Sequence, residues 1–369
     1  MPESEARAAF LELLDVLREA SERCVGEERG ITGPDDVGEG LRNLTHILQS
    51  GLYSHQEFDP QRPVFRRIVS PTRSFTGDNP DALYFETPVA AEREYVVRGA
   101  LAGAVYTSFT MEAGAVEGKY STGTAGVLND ADIDVDEHGD YEIRLGGPPA
   151  DRNWLAVPPE GGRITTRHYF EWPEPAATSQ TLHVPLSIEA RPPAGPRPRW
   201  NDETVARAIR RVTNHVRGKT LDAPRPGELR PAFLSVVPNE FPKPVPPGNM
   251  AFAAFDAAYS LAPYFIGDDE ALVITGRWPE CRFANVCLWN RFSQMYDYTT
   301  KSVSRNRANT KLETDGSFRM IVAHEDPGVP NWLDTEGRNL GTVFWRYFLP
   351  EGDIETPQAE VVKLSSLRA

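Results

Sequence analysis

A chain of 369 residues is longer than one ordinary hydrophobic core organises, and with 40% hydrophobic residues it carries apolar material for two. A formal charge of −14 argues against a nucleic-acid partner, because affinity for a phosphate backbone rests on clustered Lys and Arg. No uncharged apolar run approaches the roughly 18 residues that a membrane-spanning helix needs, so no membrane span is expected.

The start, Met1-Pro2-Glu3-Ser4-Glu5, lacks the basic and apolar regions of a secretory signal, which predicts a cytoplasmic location. Cys24, Cys281 and Cys287 are odd in number. The last two fall on one strand and cannot bridge, which fits a reducing compartment and offers no zinc spacing.

Residues 1–55 predict a helical hairpin. Phe10, Leu13, Leu14, Leu17, Ala20 and Val25 make one apolar stripe, Leu41, Leu44, Ile47 and Leu48 a second, and Thr32-Gly33-Pro34-Asp35-Asp36 supplies the turn and helix start between them. Its expected role is packing or oligomerisation, hence a homo-oligomer. Residues 56–195 change to short runs of Val, Ile, Tyr, Phe and Thr between Gly, Asp, Asn and Pro, the pattern of strands and turns. Residues 196–248 form a helical, Pro-rich connector. Asn201 caps a helix through Val205, Ile209, Val212 and Val216, whose Arg207, Arg210, Arg211, His215 and Arg217 read as a solvated basic face. Strand patterning resumes across residues 249–369. The expected fold is mainly β: two tandem, jelly-roll-like β-sandwich modules with an N-terminal helical hairpin and a helical connector.

The modules read as copies. Asn153-Trp154-Leu155 recurs as Asn331-Trp332-Leu333, and Tyr169-Phe170 follows the first as Tyr347-Phe348 follows the second. A shift of 177 to 178 positions also matches Gly99 with Gly276 and Gly139-Asp140-Tyr141 with Gly316-Ser317-Phe318. The triplet is expected to be structural, with Asn bracing a turn and Trp plugging the core.

Asp78-Asn79-Pro80-Asp81-Ala82-Leu83-Tyr84 resembles the Asn-x-Asp-Thr-Leu-Tyr signature of the DUF1254 domain, with Ala82 in place of Thr. Asp326-Pro327-Gly328-Val329-Pro330-Asn331-Trp332-Leu333-Asp334, with Trp345-Arg346-Tyr347 downstream, is similar to the DUF1214 domain. The resemblance implies two packed β-sandwiches and an oligomer, and lends no mechanism.

Hydrolase elbows, zinc-protease motifs and nucleotide-binding glycine loops are absent, so no cofactor is expected. Asp130, Asp132, Asp134 and Asp136 alternate as if on one strand face; they suit either solvent or Ca²⁺, but the glycine and terminal glutamate of a calcium loop are missing, and no metal is assigned. In module two, His324 and Asp334 suggest a base and its orienter, Arg305 and Arg307 anion anchors, and Asn309, Trp289, Asn290, Tyr296 and Arg346 a partly apolar pocket. His168 beside Arg167, with Asp78, Asp81 and Tyr84, forms a second candidate group in module one. The leading expectation is an enzyme of unresolved reaction on a small, partly apolar, anionic molecule. A carbohydrate- or lipid-binding module and a structural oligomer are the alternatives.

Overall fold

Two strand patterns recur along the chain and fix its layering. Asp140–Leu145 alternates exposed and buried residues, as a half-covered strand must, whereas Gly162–Tyr169 and Phe283–Trp289 are buried at every position. Strands of the second kind need a layer on each side. The structure, a computed structural model, describes residues 4–74, 76–224, 228 and 230–367.

Module one contains β1 (Arg66–Arg67), β2 (Ala82–Val89), β3 (Glu94–Ala100), β4 (Tyr106–Ala113), β5 (Gly123–Asn129), β6 (Asp140–Leu145), β7 (Trp154–Leu155), β8 (Gly162–Tyr169) and β9 (Leu186–Arg191). Module two contains β10 (Ala257–Phe265), β11 (Glu270–Gly276), β12 (Phe283–Trp289), β13 (Ser304–Asn306), β14 (Phe318–Ala323), β15 (Trp332–Asp334), β16 (Leu340–Phe348) and β17 (Gln358–Lys363). The sheets run β1-β2-β8-β4-β5 and β7-β6-β3-β9 in module one, and β10-β16-β12-β13 and β15-β14-β11-β17 in module two. Apart from β1, adding eight to each strand number turns one module into the other. The tandem sandwich is therefore a duplication of eight strands.

Val97, Ile143, Phe109 and Ile164 fill the space between the sheets of module one, and Leu272, Met320, Val286 and Trp345 do so in module two. The inner sheets of the two modules then pack on each other. Tyr106 and Tyr169 meet Phe348 and Phe283 with ring centroids 4.4 to 4.7 Å apart. Four layers result, and the burial of β8 and β12 on both faces follows from their inner position.

The repeated triplet braces corresponding corners. Asn153 and Asn331 both take positive φ, 51° and 60°. Asn153 donates to the carbonyls of Asp134 and Glu142 and accepts from the Asp134 amide; Asn331 does the same with Lys311, Arg319 and the Lys311 amide. The core plug is Leu155 or Leu333 and not the tryptophan as expected. Trp154 and Trp332 stay half-buried and give their indole N–H to the carbonyls of Gly146 and Ala323.

Helices α1 (Glu5–Arg23) and α2 (Pro34–His55) are completed by α3 (Asp202–Lys219), which packs on both. Leu13, Val16, Leu44 and Ile47 close over Val212 and Val216. Leu44 is thus buried within the chain, while Phe10 and Leu14 remain 51% and 47% exposed. The basic face of α3 is only partly solvated. Arg211 and His215 are buried, and Arg211 donates to the carbonyls of His55 and Gln56 at the end of α2. The aspartate run is not a strand: β5 ends at Asn129, Asp134 pairs with Arg152 at 2.6 Å, and Asp136 accepts from the amides of His138 and Asp140. Among the described residues no group of His, Cys, Asp and Glu is arranged to hold a metal, and no helix is long and apolar enough to cross a membrane.

Candidate functional site

The aromatic seam between the inner sheets opens at one end into a cavity of about 230 Å³. Module one contributes Tyr84 and Glu86 from β2 and Arg167 and Tyr169 from β8; module two contributes Tyr259, Trp289, Phe344 and Arg346 from β10, β12 and β16. Tyr120, Lys219 and Met250 stand where the cavity joins a surface cleft of about 920 Å³.

The strand register explains how the polar groups converge. In module one Tyr84 lies opposite Arg167 in the β2–β8 ladder, and in module two Tyr259 lies opposite Arg346 in the β10–β16 ladder. The ladders begin at Ala82 opposite Tyr169 and at Ala257 opposite Phe348. On this strand the correspondence is therefore Tyr169 with Phe348, one residue away from the Tyr169–Tyr347 match of the sequence repeat. A one-residue slip reverses which face a strand residue occupies. With the register set by the ladders, Arg167 and Arg346 become equivalent residues of the two copies, and both face the cavity.

Neither arginine has an ion-pair partner within 4.0 Å among the described residues, although both are buried. Arg167 donates to Thr110 Oγ1 at 2.6 Å and to the Phe252 carbonyl at 2.9 Å. Arg346 donates to the Gly77 carbonyl at 2.9 Å and lies 4.1 Å from the Phe344 ring centroid and 4.9 Å from that of Trp289. Burial works against the charge of each guanidinium. Glu112 counters it for Arg167, and both stay protonated, as arginine does in folded proteins.

The neighbouring acids are themselves drawn toward their neutral forms. Burial raises the Glu112 carboxyl, pushes Asp78 to about 6 and pushes Asp81 to about 7. Burial also raises the phenols of Tyr84, Tyr169 and Tyr259, which stay neutral donors, with Tyr84 and Tyr169 sharing a hydrogen bond of 2.7 Å. The Cys287 thiol, driven up to about 12 by burial, is not an activated nucleophile. The cavity is thus aromatic on its walls and positive on two sides.

A reciprocal clasp holds the two inner sheets in place around it. Asp81, just before β2, accepts from Asn285 Nδ2 on β12 at 2.9 Å, while Asp256, just before β10, accepts from Tyr106 on β4 at 2.7 Å and from Asn129 at 2.9 Å. Asn79 and Asn285 exchange a further pair of hydrogen bonds. Trp289 gives its indole N–H to the Asp78 carbonyl at 3.1 Å. The string Asp78 to Tyr84 therefore runs from the clasp into the cavity wall.

Of the residues singled out in the sequence, Tyr84, Trp289 and Arg346 line the cavity and Asp81 braces it. The others do not meet there. His324 follows β14 on the outer sheet of module two, with Nδ1 2.6 Å from Thr335 Oγ1, and makes no hydrogen bond to Asp334. Asp334 accepts from the Glu336 amide and lies 3.8 Å from Lys301 Nζ. The expected base and orienter pair is not formed. Arg305 donates to the Trp332 carbonyl, and Arg307 grips Glu171 of module one through two bonds of 2.7 and 2.9 Å. Asn309 donates to the Pro173 carbonyl, so Arg307 and Asn309 clamp module to module. Asn290 closes its own turn by accepting from Phe292 and Gln294. Tyr296 bonds Tyr264 at 2.7 Å beside a separate groove. His168 lies on the core side of β8 between Thr107 and Thr166, where burial lowers it to about 3 and keeps it neutral.

Tyr169, Tyr259 and Lys219 were not selected from sequence as site residues, and Arg167 entered only as the neighbour of His168. Arg167 had a signal, its equivalence to Arg346, which only the ladder register exposes.

No protein-family model matches this chain, and no curated protein matches it. Among solved structures it is similar to an uncharacterized protein from Burkholderia cenocepacia, 26% identical over 97% of both chains with a TM-score of 0.80. It is also similar to a protein from Vibrio parahaemolyticus, 11% identical over 87% of this chain and 100% of that one, with a TM-score of 0.50. The first likeness runs through both modules and the helices packed beside them, so the duplicated sandwich is a shared fold.

Proposed function

We propose that this chain binds a small organic carboxylate with an aromatic or aliphatic body in the cavity between its modules. The observation that carries the reading is the convergence of Arg167 and Arg346, equivalent residues of the two copies, on one aromatic-walled cavity without an ion-pair partner for either. A buried, unpaired guanidinium is costly, and a bound carboxylate supplies the missing charge while matching the planar donor fork. Tyr84 and Tyr259 add neutral donors, and Trp289 and Phe344 an apolar wall.

Titration calorimetry with benzoate and with methyl benzoate tests this. Benzoate is expected to bind one to one, its ester at least about tenfold more weakly, a difference of about 1.4 kcal/mol. Arg167→Met and Arg346→Met should each abolish the preference. Equal affinity for acid and ester, or unchanged binding in both variants, would sink the reading.

Three broader expectations join it. The free thiols of Cys24, Cys281 and Cys287 support a cytoplasmic location, which cell fractionation checks. The exposed Phe10 and Leu14 support a homo-oligomer, which light scattering of the purified protein decides. The order of the two sandwiches supports the paired DUF1254 and DUF1214 architecture. An alignment of such chains without arginine at positions 167 and 346 would break the link between that architecture and this cavity.

A further inference from the structure

We infer that Lys219 forms an imine with a carbonyl-bearing organic acid, a 2-oxo or aldehyde acid, seated in the inter-module cavity. The inference rests on the carboxylate-binding reading and assigns it a chemistry.

Lys219 is the last residue of α3 and lines both the cavity and the cleft that leads to it. Its Nζ lies 5.1 Å from the Tyr120 ring centroid and 5.7 Å from that of Phe252, so the amine sits in an aromatic neck and not in open solvent. Beside it the wall carries Arg163 and Glu86, paired at 2.6 Å. Desolvation, with Arg163 adding to it and Glu86 opposing, pulls the ammonium down to about 8. A useful fraction of neutral amine is therefore present near neutral pH. Lys119, Lys243, Lys301, Lys311 and Lys363, the other lysines of the chain, are all exposed.

The step balances without an oxidant or reductant. The amine nitrogen attacks the carbonyl carbon, a C–N bond forms, and both amine protons end on the carbonyl oxygen, which departs as water. Glu86, on the same wall, is the carboxylate placed to relay them. With the carboxylate of the acid on Arg167 and Arg346, the carbonyl carbon is held in the cavity that Lys219 closes. The imine then serves as an electron sink for a bond cleaved next to it.

The test is to incubate the protein with phenylglyoxylate and cyanoborohydride, which reduces an imine to a stable amine, and to map adducts by peptide mass spectrometry. Lys219 is expected to label at least tenfold faster than any of the five exposed lysines, and excess benzoate should suppress it. Lys219→Arg should lose the adduct, whereas Lys301→Arg, at an exposed lysine outside the cavity, should keep both the adduct and benzoate binding. If the exposed lysines label as fast as Lys219 while benzoate binds, the imine is wrong and the carboxylate site stands. If benzoate does not bind at all, the underlying reading falls with it.

Discussion

Arg167 and Arg346 hold the same place in the two copies of the sandwich, yet one is fixed by hydrogen bonds to Thr110 and Phe252 and the other is layered against Trp289 and Phe344. Duplication placed two like charges across one interface, and the two surroundings then diverged. The two guanidiniums that line the cavity are therefore not interchangeable, and the difference would give direction to the ligand proposed for it. The clasp shows the same history: Asp81 and Asp256 each reach across to the opposite inner sheet, but to an amide in one case and to a phenol with an amide in the other.

The sharpest way to break this comparison is to truncate each arginine. Arg346→Ala leaves the part-buried Gly77 carbonyl without its donor and removes the guanidinium packed on two rings, so we expect a loss of about 3 kcal/mol. Arg167→Ala, beside a raised Glu112 and with a hydroxyl that can turn to another partner, should lose about 2 kcal/mol. Denaturant midpoints read both, and equal losses would mean that the surroundings do not differ in energy. Where the copies agree instead of diverging, the effects should match. Asn153→Ala and Asn331→Ala remove corresponding sets of three hydrogen bonds at positive φ, and each should cost about 2 kcal/mol, within about 0.5 of the other.

A smaller effect concerns pH at the clasp. The Asp81 carboxyl, raised to about 7 in the folded chain, stands near 4 when unfolded, so the folded state holds a proton that the unfolded state releases across that window. The stability contributed by this group is present below pH 4 and is lost as pH rises through 7. Measured against Asp81→Asn, the wild type should therefore weaken between pH 4 and 7 and level off above. A difference that grows the opposite way would place a charged, paired Asp81 in the clasp. Smallest of all, Asp132→Ala in the exposed aspartate run should change stability by less than about 0.5 kcal/mol, and calcium should not shift its melting temperature.

The duplication was legible because some positions admit few residues. Gly99 and Gly276 lie opposite Tyr141 and Phe318, whose hydroxyl oxygen and ring edge would sit 2.5 and 2.8 Å from an added Cβ, and Asn153 and Asn331 occupy left-handed corners. Such local constraints leave a mark in sequence. The site leaves a fainter one, Tyr84, Trp289 and Arg346 without their meeting place, because it depends on register and on contacts between modules. Aligning Tyr169 with Tyr347 turned Arg167 away from Arg346, and only the ladder restores the pairing. Polar clustering misled for a related reason. Arg307 and Asn309 are grouped because they hold Glu171 and Pro173 of the other module, a purpose that resembles ligand binding when read along one strand. On α3, the burial of Arg211 and the placing of Lys219 at the cavity neck are set by α2 and by module one, beyond the reach of helical periodicity.

The most direct test of the carboxylate site is a crystal of the protein soaked with 4-iodobenzoate, located by the anomalous signal of iodine. One peak is expected inside the inter-module cavity, with the carboxylate oxygens within hydrogen-bond distance of Arg167 or Arg346 and the ring against Trp289 or Phe344. A cavity left empty while iodine sites populate the surface would contradict it.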